Sequence, residues 1–104
     1  MVVVTVLYPK TETSHFDFDY YAAKHIPLVQ ARWGGMGLVD AEFLRGTGTL
    51  DGSALGYAFI AKLTFSSVEA VQAALEAHGA EIMGDIPNFS NVQPVIQLNE
   101  PLVR

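Results

Sequence analysis

The sequence predicts an α+β domain of the ferredoxin-like βαββαβ type, in which an antiparallel sheet carries two helices on one of its faces. Four segments rich in β-branched and aromatic residues are typical of strands, and two amphipathic segments are typical of helices. Connections rich in glycine and proline separate them. At 104 residues, half of them hydrophobic, the chain fits a single domain over residues 1–104 with a sizeable core.

The first strand and the first helix fill the opening third of the chain. Residues 2–8 are rich in valine and stop at a proline, which predicts a strand near the centre of the sheet. Ser14 or Asp17 can cap a helix that then runs to about Trp33. Pro27 lacks an amide hydrogen and its ring disfavours helical geometry at the preceding residue, so we expect a kink or break there.

The second and third strands are predicted at residues 38–45 and 57–65, on either side of a turn-rich loop. One face of the third strand carries large apolar side chains, namely Tyr57, Phe59, Ala61, Leu63 and Phe65. Two helices cover only one face of a sheet, and a large exposed apolar face marks an interface. We therefore expect the aromatic face to be the open one and to be buried in a homodimer.

The second helix can be capped by Ser66 or Ser67, and Gly79 could interrupt it. Its apolar positions at helical spacing are Val68, Val71, Leu75, His78 and Ile82. An irregular connector leads to a last strand predicted at residues 92–98, where Pro94 belongs at an edge or a bulge.

The charge and hydropathy of the chain exclude two classes of partner. Eleven acidic residues against six scattered basic ones give a net charge of −5, which argues against nucleic acid. No apolar run reaches the roughly 18 residues of a membrane span, and the apolar start lacks the basic lead of a signal peptide. We expect a cytoplasmic protein without a membrane partner.

Cofactors are also not expected. The absence of cysteine excludes disulfides, thiolate nucleophiles, iron–sulfur clusters and most structural zinc sites. The three histidines have no metal-ligand spacing, and no basic residues beside them suggest a clamp for haem propionates. Gly46-Thr47-Gly48 lacks the context of a dinucleotide fingerprint. We predict that the protein holds no metal, haem or flavin.

The stretch from Phe16 to Pro27 carries the best candidates for chemistry, because it places Tyr21 and His25 four residues apart on one helix face. Imidazole, with an unperturbed pKa of about 6.5, exchanges protons near neutral pH. The alternative is a core pair that hydrogen-bonds only each other or the backbone.

The segments that carry a family resemblance are Val4–Pro9, Phe16-Asp17, Tyr20-Tyr21, His25–Leu28, Tyr57–Phe65, Asp85–Phe89 and Pro94–Gln97. They are similar to the EthD family, named for ethyl tert-butyl ether degradation, within the dimeric α+β barrel superfamily. The resemblance implies a homodimer with a ligand cavity between sheet and helices in each subunit. Relatives on this fold include cofactor-free monooxygenases, muconolactone isomerases, polyketide cyclases and haem-dependent enzymes, so the fold alone does not identify the reaction.

The resemblance also implies roles for individual residues. His25 matches the His-x-Pro motif of the family and corresponds to a pocket histidine of related lactone isomerases, which implies a catalytic base. Tyr21 would orient it or hold a substrate oxygen. Asp85 is most simply a turn or cap residue, and its alternative role is a carboxylate that fixes the tautomer of His25.

Further residues complete the set of candidate ligand contacts, which is Phe16, Trp33, Tyr57, Phe59, Asp85 and Phe89. Their aromatic surface suits a small apolar or aromatic ligand, although most of it is also expected in the core. Two functions stay open. One is a cofactor-free enzyme of the monooxygenase, isomerase or cyclase type with His25 as base, and the other is a non-catalytic binding or accessory protein of a degradation pathway.

Overall fold

The computed structural model describes residues 1–103. Its strands are β1 (Val2–Pro9), β2 (Leu38–Arg45), β3 (Tyr57–Phe65) and β4 (Val95–Asn99), and its main helices are α1 (residues 18–33) and α2 (Val68–Gly84). The strands pair antiparallel in the order β2-β3-β1-β4, and both helices pack on the same face of the sheet. This is the predicted α+β arrangement, with β1 in the interior of the sheet.

The helix starts agree with the predicted caps. The Asp17 carboxylate accepts a hydrogen bond from the amide of Tyr20, and the Ser67 hydroxyl accepts one from the amide of Ala70. Gly79 does not interrupt α2, because it is buried and the helix continues to Gly84. β4 begins later than predicted, so Pro94 precedes the strand and removes no hydrogen bond from the ladder.

The prediction at Pro27 was a kink or a break, and the break is wrong, because α1 stays helical and changes its hydrogen-bonding pattern beside His25 instead. Phe18–Tyr20 is α-helical, Tyr21–His25 is π-helical and Ile26–Trp33 is α-helical again. The amide of Ile26 donates to the carbonyl of Tyr21, five residues back. Pro27 lies just after this wide turn, at the start of the next α-helical segment. Its lack of an amide hydrogen therefore falls where the hydrogen-bonding pattern changes.

The expectation that the aromatic side of β3 faces away from the helices is also wrong. Phe59, Leu63 and Phe65 are buried against residues of α1 and α2. The alternation identified the two faces of the strand correctly, but the apolar sides of the helices need the apolar face as their partner. Lys62 therefore lies on the open face, where it forms an ion pair of 3.3 Å with Glu42.

The buried side of α2 differs from the predicted row as well. Val71, Ala74 and Ile82 are buried, whereas Val68 and Leu75 are about half exposed. Leu75 instead borders a cavity that is described below. Within residues 1–103, no helix has both the length and the apolar character needed to cross a membrane.

Candidate functional site

The site is organised by one row of side chains on α1. Tyr21, His25, Val29 and Trp33 follow one another at four-residue intervals, and all four are buried. A regular α-helix has 3.6 residues per turn, so a four-residue spacing drifts around its axis. The π-helical turn between Tyr21 and His25 takes up more residues per turn, which keeps this row pointed at the sheet.

The imidazole of His25 is held by a carboxylate from the opposite end of the sequence. Nδ1 of His25 lies 2.9 Å from Oδ2 of Asp85, and both side chains are largely buried. The other carboxylate oxygen, Oδ1, accepts hydrogen bonds from the hydroxyl of Tyr20 at 2.7 Å and the side-chain amide of Asn88 at 2.9 Å. The Asp85 side chain caps no backbone amide, and its four-group network instead fixes the ring of His25.

The connector that carries Asp85 is tied to the start of α1. Asp85 ends α2 and precedes a short 3₁₀ helix, Ile86–Asn88. The amide of Asp17 donates to the carbonyl of Phe89 at 2.7 Å, and Phe16 pairs with Ser90 through an isolated β-bridge. These contacts bring the connector against α1, which is what a contact between Asp85 and His25 requires.

The network also sets the charge state of the carboxyl group. Burial by itself raises the pKa of Asp85, but the hydrogen bonds from Asn88, Tyr20 and His25 outweigh burial and leave this pKa below its usual value. The ionised carboxylate can only accept, so Nδ1 of His25 carries the hydrogen. In the neutral imidazole, Nε2 is then the basic nitrogen.

A narrow cavity of about 110 Å³ lies between the sheet and the helices. Its walls come from α1, α2 and the inward sides of β1, β3 and β4. The polar end, which we call the tyrosine end, is formed by Tyr8, Tyr21 and His25. The opposite, apolar end, which we call the tryptophan end, is formed by Val29, Trp33, Val71 and Ala74.

The polar atoms of the tyrosine end have no protein partner. Tyr8, Tyr21 and His25 are 2%, 3% and 4% exposed. Within residues 1–103, no hydrogen bond engages either hydroxyl or Nε2 of His25, yet none of these atoms is sealed away from open space. All three residues border the cavity. Polar groups beside a mostly apolar cavity are candidates for contacts with a ligand.

Both phenols remain neutral at physiological pH. Burial raises the pKa of Tyr8, and burial together with the neighbouring Tyr8 raises the pKa of Tyr21. Each hydroxyl therefore keeps its hydrogen and can donate it to an oxygen in the cavity. The ring of Tyr21 lies 4.9 Å from that of His25, between centroids.

The tryptophan end has no free polar group on its indole. Nε1 of Trp33 donates to the carbonyl of Ala74 at 2.8 Å, and the indole packs edge-on against Phe65 at 5.9 Å between centroids. This end of the cavity can offer a ligand apolar surface only.

The predicted candidates fall into three groups in the structure. Tyr21, His25 and Trp33 border the cavity. Phe16, Phe59 and Phe89 form an aromatic cluster behind the tyrosine end, where Phe16 stacks on Phe59 at 4.8 Å and Phe89 lies 4.7 Å from His25. Asp85 supports His25 from outside the cavity. Tyr57 is 40% exposed at the start of β3 and does not border the cavity.

Tyr8 is the residue of the site that sequence reasoning missed. It ends the inward row of β1, after Val2, Val4 and Val6. A tyrosine at the end of an otherwise aliphatic row places a hydroxyl in the core. This pattern in the sequence could have identified Tyr8 as a candidate site residue. Within residues 1–103, no group of three histidine or carboxylate side chains is arranged to hold a metal ion.

Comparison with known proteins places the chain among small α+β proteins. The model of the EthD domain matches residues 10–93. The structure resembles an EthD-like protein from Ralstonia eutropha JMP134, at 35% identity over 99% of this chain and 93% of that chain, with a TM-score of 0.89. It also resembles an ethyl tert-butyl ether degradation (EthD) family protein from Bacillus halodurans C-125, at 23% identity over 98% and 99% of the two chains, with a TM-score of 0.78.

A third similarity concerns the fold alone. SnoaB, a cofactor-independent oxygenase from Streptomyces nogalater, is 13% identical over 99% of this chain and 93% of that chain, with a TM-score of 0.69. No curated protein matches the chain.

Proposed function

Because this chain belongs to the EthD family, we propose that its cavity binds a small organic molecule and that His25 removes a proton from it without a cofactor. One observation carries the proposal. A buried imidazole, held through Nδ1 by a carboxylate, borders a cavity together with two tyrosines whose hydroxyls have no hydrogen-bond partner within residues 1–103. Base, orienting group and oxygen-directed donors are the parts that proton abstraction beside a carbonyl, or from a phenol, requires.

The roles follow from the chemistry of each group. Nε2 of His25 accepts the proton, and Asp85 stabilises the imidazolium that results. The negative charge that develops on the substrate oxygen is stabilised by hydrogen bonds from Tyr8 and Tyr21, whose raised pKa values keep them protonated. The apolar walls exclude water and strengthen these interactions.

Proton removal is a step shared by several reaction types. An enolate can be reprotonated at another carbon, which is isomerisation, or can attack a second carbonyl, which is cyclisation. An electron-rich enolate or phenolate can also supply the electrons for reaction with dioxygen, as a cofactor-independent oxygenase requires. SnoaB, which shares this fold, is a cofactor-independent oxygenase and makes the last type relevant, but at 13% identity the choice between these reactions is left to experiment.

The proposal is tested with 4-nitrophenol, whose absorbance distinguishes the bound phenol from the bound phenolate. We expect the wild-type protein to bind the probe as the phenolate at a pH where the free probe is largely neutral. His25→Gln should abolish this ionisation. His78→Gln is the matched control, since His78 is a half-buried histidine of α2 that does not border the cavity.

Two results would contradict the proposal in different ways. Binding of the neutral phenol by both wild type and His25→Gln would indicate a non-catalytic binding protein. Failure of the probe to bind at all would show that the cavity is not a site for small phenols. With a true substrate, loss of a general base should cost about 10²–10⁴ in rate with little change in affinity.

We further propose that the protein forms a homodimer through the open face of the sheet. Leu44, Ile60, Leu7 and Val95 lie in register across all four strands on this face, and they form an apolar row next to the polar row that contains Lys62. Leu44 and Val95 are about half exposed in the single chain. Pairing two such rows would remove them from water.

The oligomeric state measured by light scattering tests this interface. Ile60→Asp should convert a dimer into a folded monomer, because a charge in the row cannot be buried without a partner. Leu50→Asp, in an exposed loop, is the control. A wild-type protein that is monomeric at micromolar concentration would refute the dimer.

A further inference from the structure

We infer that the ligand is an uncharged molecule with one oxygen at one end and a narrow apolar body, as in a 4-alkylphenol. This inference rests on the proposed function, because it assigns the oxygen to the tyrosine end. It adds the orientation of the ligand, its size and its charge.

The orientation follows from the unequal distribution of polar atoms along the cavity. Within residues 1–103, the cavity residues whose side chains carry a polar atom without a hydrogen-bond partner are Tyr8, Tyr21 and His25, and all three belong to the tyrosine end. At the tryptophan end, the single polar atom of Trp33 is already bonded to a backbone carbonyl. An oxygen placed at the tyrosine end gains two donors, whereas an oxygen placed at the tryptophan end would lose its water and gain none.

The size of the ligand follows from the volume of the cavity. This volume of about 110 Å³ is smaller than that of an engineered cavity of about 150 Å³ that holds one benzene molecule. The cavity therefore has room for a single ring and no room for a fused ring system, and a longer alkyl chain has to leave the cavity past its exposed apolar border.

The charge follows from the ionisable groups that border the cavity. Within residues 1–103, these groups are Tyr8, Tyr21 and His25, and no lysine or arginine is among the lining residues. The His25 imidazole already faces the Asp85 carboxylate on its other nitrogen. A carboxylate or phosphate group on the ligand would therefore have no described cation beside it except a protonated His25, whereas a neutral phenol needs none to enter, so the charged group is buried at the larger free-energy cost.

The opening of the cavity suits the same kind of molecule. Leu75 and Met83 of α2 face Ile96 and Leu98 of β4, and these four aliphatic residues are 39–58% exposed. They border the cavity along its side, so a ligand enters past apolar surface. A hydrocarbon chain crosses this border without losing hydrogen bonds to water at a polar group.

The test is a series of 4-alkylphenols, from phenol to 4-hexylphenol, whose affinities are measured by titration calorimetry. We expect the affinity to rise about fourfold for each added methylene until the chain leaves the tryptophan end, since each buried methylene contributes about 0.8 kcal/mol. The matching 4-alkylbenzoates should bind at least tenfold more weakly. A series in which chain length has no effect, or benzoates that bind as tightly as phenols, would overturn the inference.

A variant pair locates the chain within the cavity. Ala74→Leu should remove the gain from longer chains and leave the affinity for phenol unchanged, because it fills the tryptophan end only. Ala77→Leu introduces the same side chain at an exposed position of the same helix and should leave the series unchanged. Longer chains that still gain affinity in folded Ala74→Leu would contradict the assignment. If that variant does not fold, the wild-type series still decides the matter.

The test of the ligand's shape and the test of proton transfer can fail independently of each other. Chain-dependent affinity without ionisation of 4-nitrophenol would refute proton transfer and leave the shape of the ligand as inferred. Ionisation of 4-nitrophenol without chain-dependent affinity would support proton transfer and refute the shape.

Discussion

The two ends of the cavity are built on the same helix face but differ in how their polar atoms are used. At the tryptophan end the indole nitrogen of Trp33 has a backbone partner, and the surrounding side chains are aliphatic or aromatic. At the tyrosine end two hydroxyls and an imidazole nitrogen have none within the described part of the chain. Folding therefore completes one end by itself, and under the proposed function a ligand completes the other. A side chain can be equally buried in both cases, so burial alone does not separate core from site.

The largest expected effect is on stability at the tryptophan end. Trp33→Ala removes a buried ring and its hydrogen bond to the carbonyl of Ala74, so we expect a loss of about 3–5 kcal/mol in the free energy of unfolding. Urea denaturation measures it. Leu50→Ala, in an exposed loop, should change stability by less than about 0.5 kcal/mol. If Trp33→Ala lowered the free energy of unfolding by less than about 1 kcal/mol, the tryptophan end would not contribute more to stability than the tyrosine end.

A smaller effect, dependent on pH, is expected from the carboxylate behind the tyrosine end. Asp85→Asn replaces a charged acceptor of three hydrogen bonds and should cost about 2 kcal/mol at neutral pH. The pKa of Asp85 is lowered in the folded protein, so the unfolded chain binds a proton more tightly. The stabilisation is fully present above the unfolded pKa of about 3.9 and is lost as the pH falls through the lower folded pKa.

Denaturation curves between neutral and acidic pH check this sign. The difference in stability between wild type and Asp85→Asn should be constant at neutral pH and should shrink below about pH 4. Asp40→Asn, at an exposed position of β2, serves as the control for the loss of a negative charge. A difference that grows on acidification would mean that the network does not stabilise the ionised carboxylate.

The smallest expected effect on stability is at the phenols themselves. Tyr8→Phe and Tyr21→Phe delete hydroxyls that bond to no other described group, so each should change the free energy of unfolding by less than about 1 kcal/mol. The same variants should weaken binding of phenol in calorimetric titrations. A large loss of stability with unchanged binding would reassign the tyrosine end to the core.

The fold was largely accessible from the sequence because its signals are local. Asp17 and Ser67 are cap residues by type and position, and the alternation in residues 57–65 is a property of one segment. Which face of β3 meets the helices is a tertiary choice, and the alternation does not contain it. The π-helical turn was also not predicted. Pro27 indicates that regular α-helical hydrogen bonding is interrupted nearby, but it does not indicate whether the helix breaks, kinks or widens.

The candidate site was accessible only in part, for a related reason. His25 and Tyr21 are close in sequence, so helical spacing predicts their common face. The partner of His25 lies 60 residues away, and its contact depends on how the connector after α2 packs on α1. Tyr8 belongs to a different strand. Its unpartnered hydroxyl becomes visible only when every neighbour is known.

The π-helical turn of α1 has a consequence for how this protein can change by insertion and deletion. A wide turn holds an additional residue, and Ala22, Ala23 and Lys24 within it are all exposed. Deleting one of them would restore ordinary α-helical spacing, in which Val29 and Trp33 follow Tyr21 by seven and eleven residues and stay on its face. If all three residues were kept in an ordinary α-helix, Trp33 would instead turn about 120° away from Tyr21. Lineages that keep the cavity are therefore expected to lose the wide turn only together with one of these three residues.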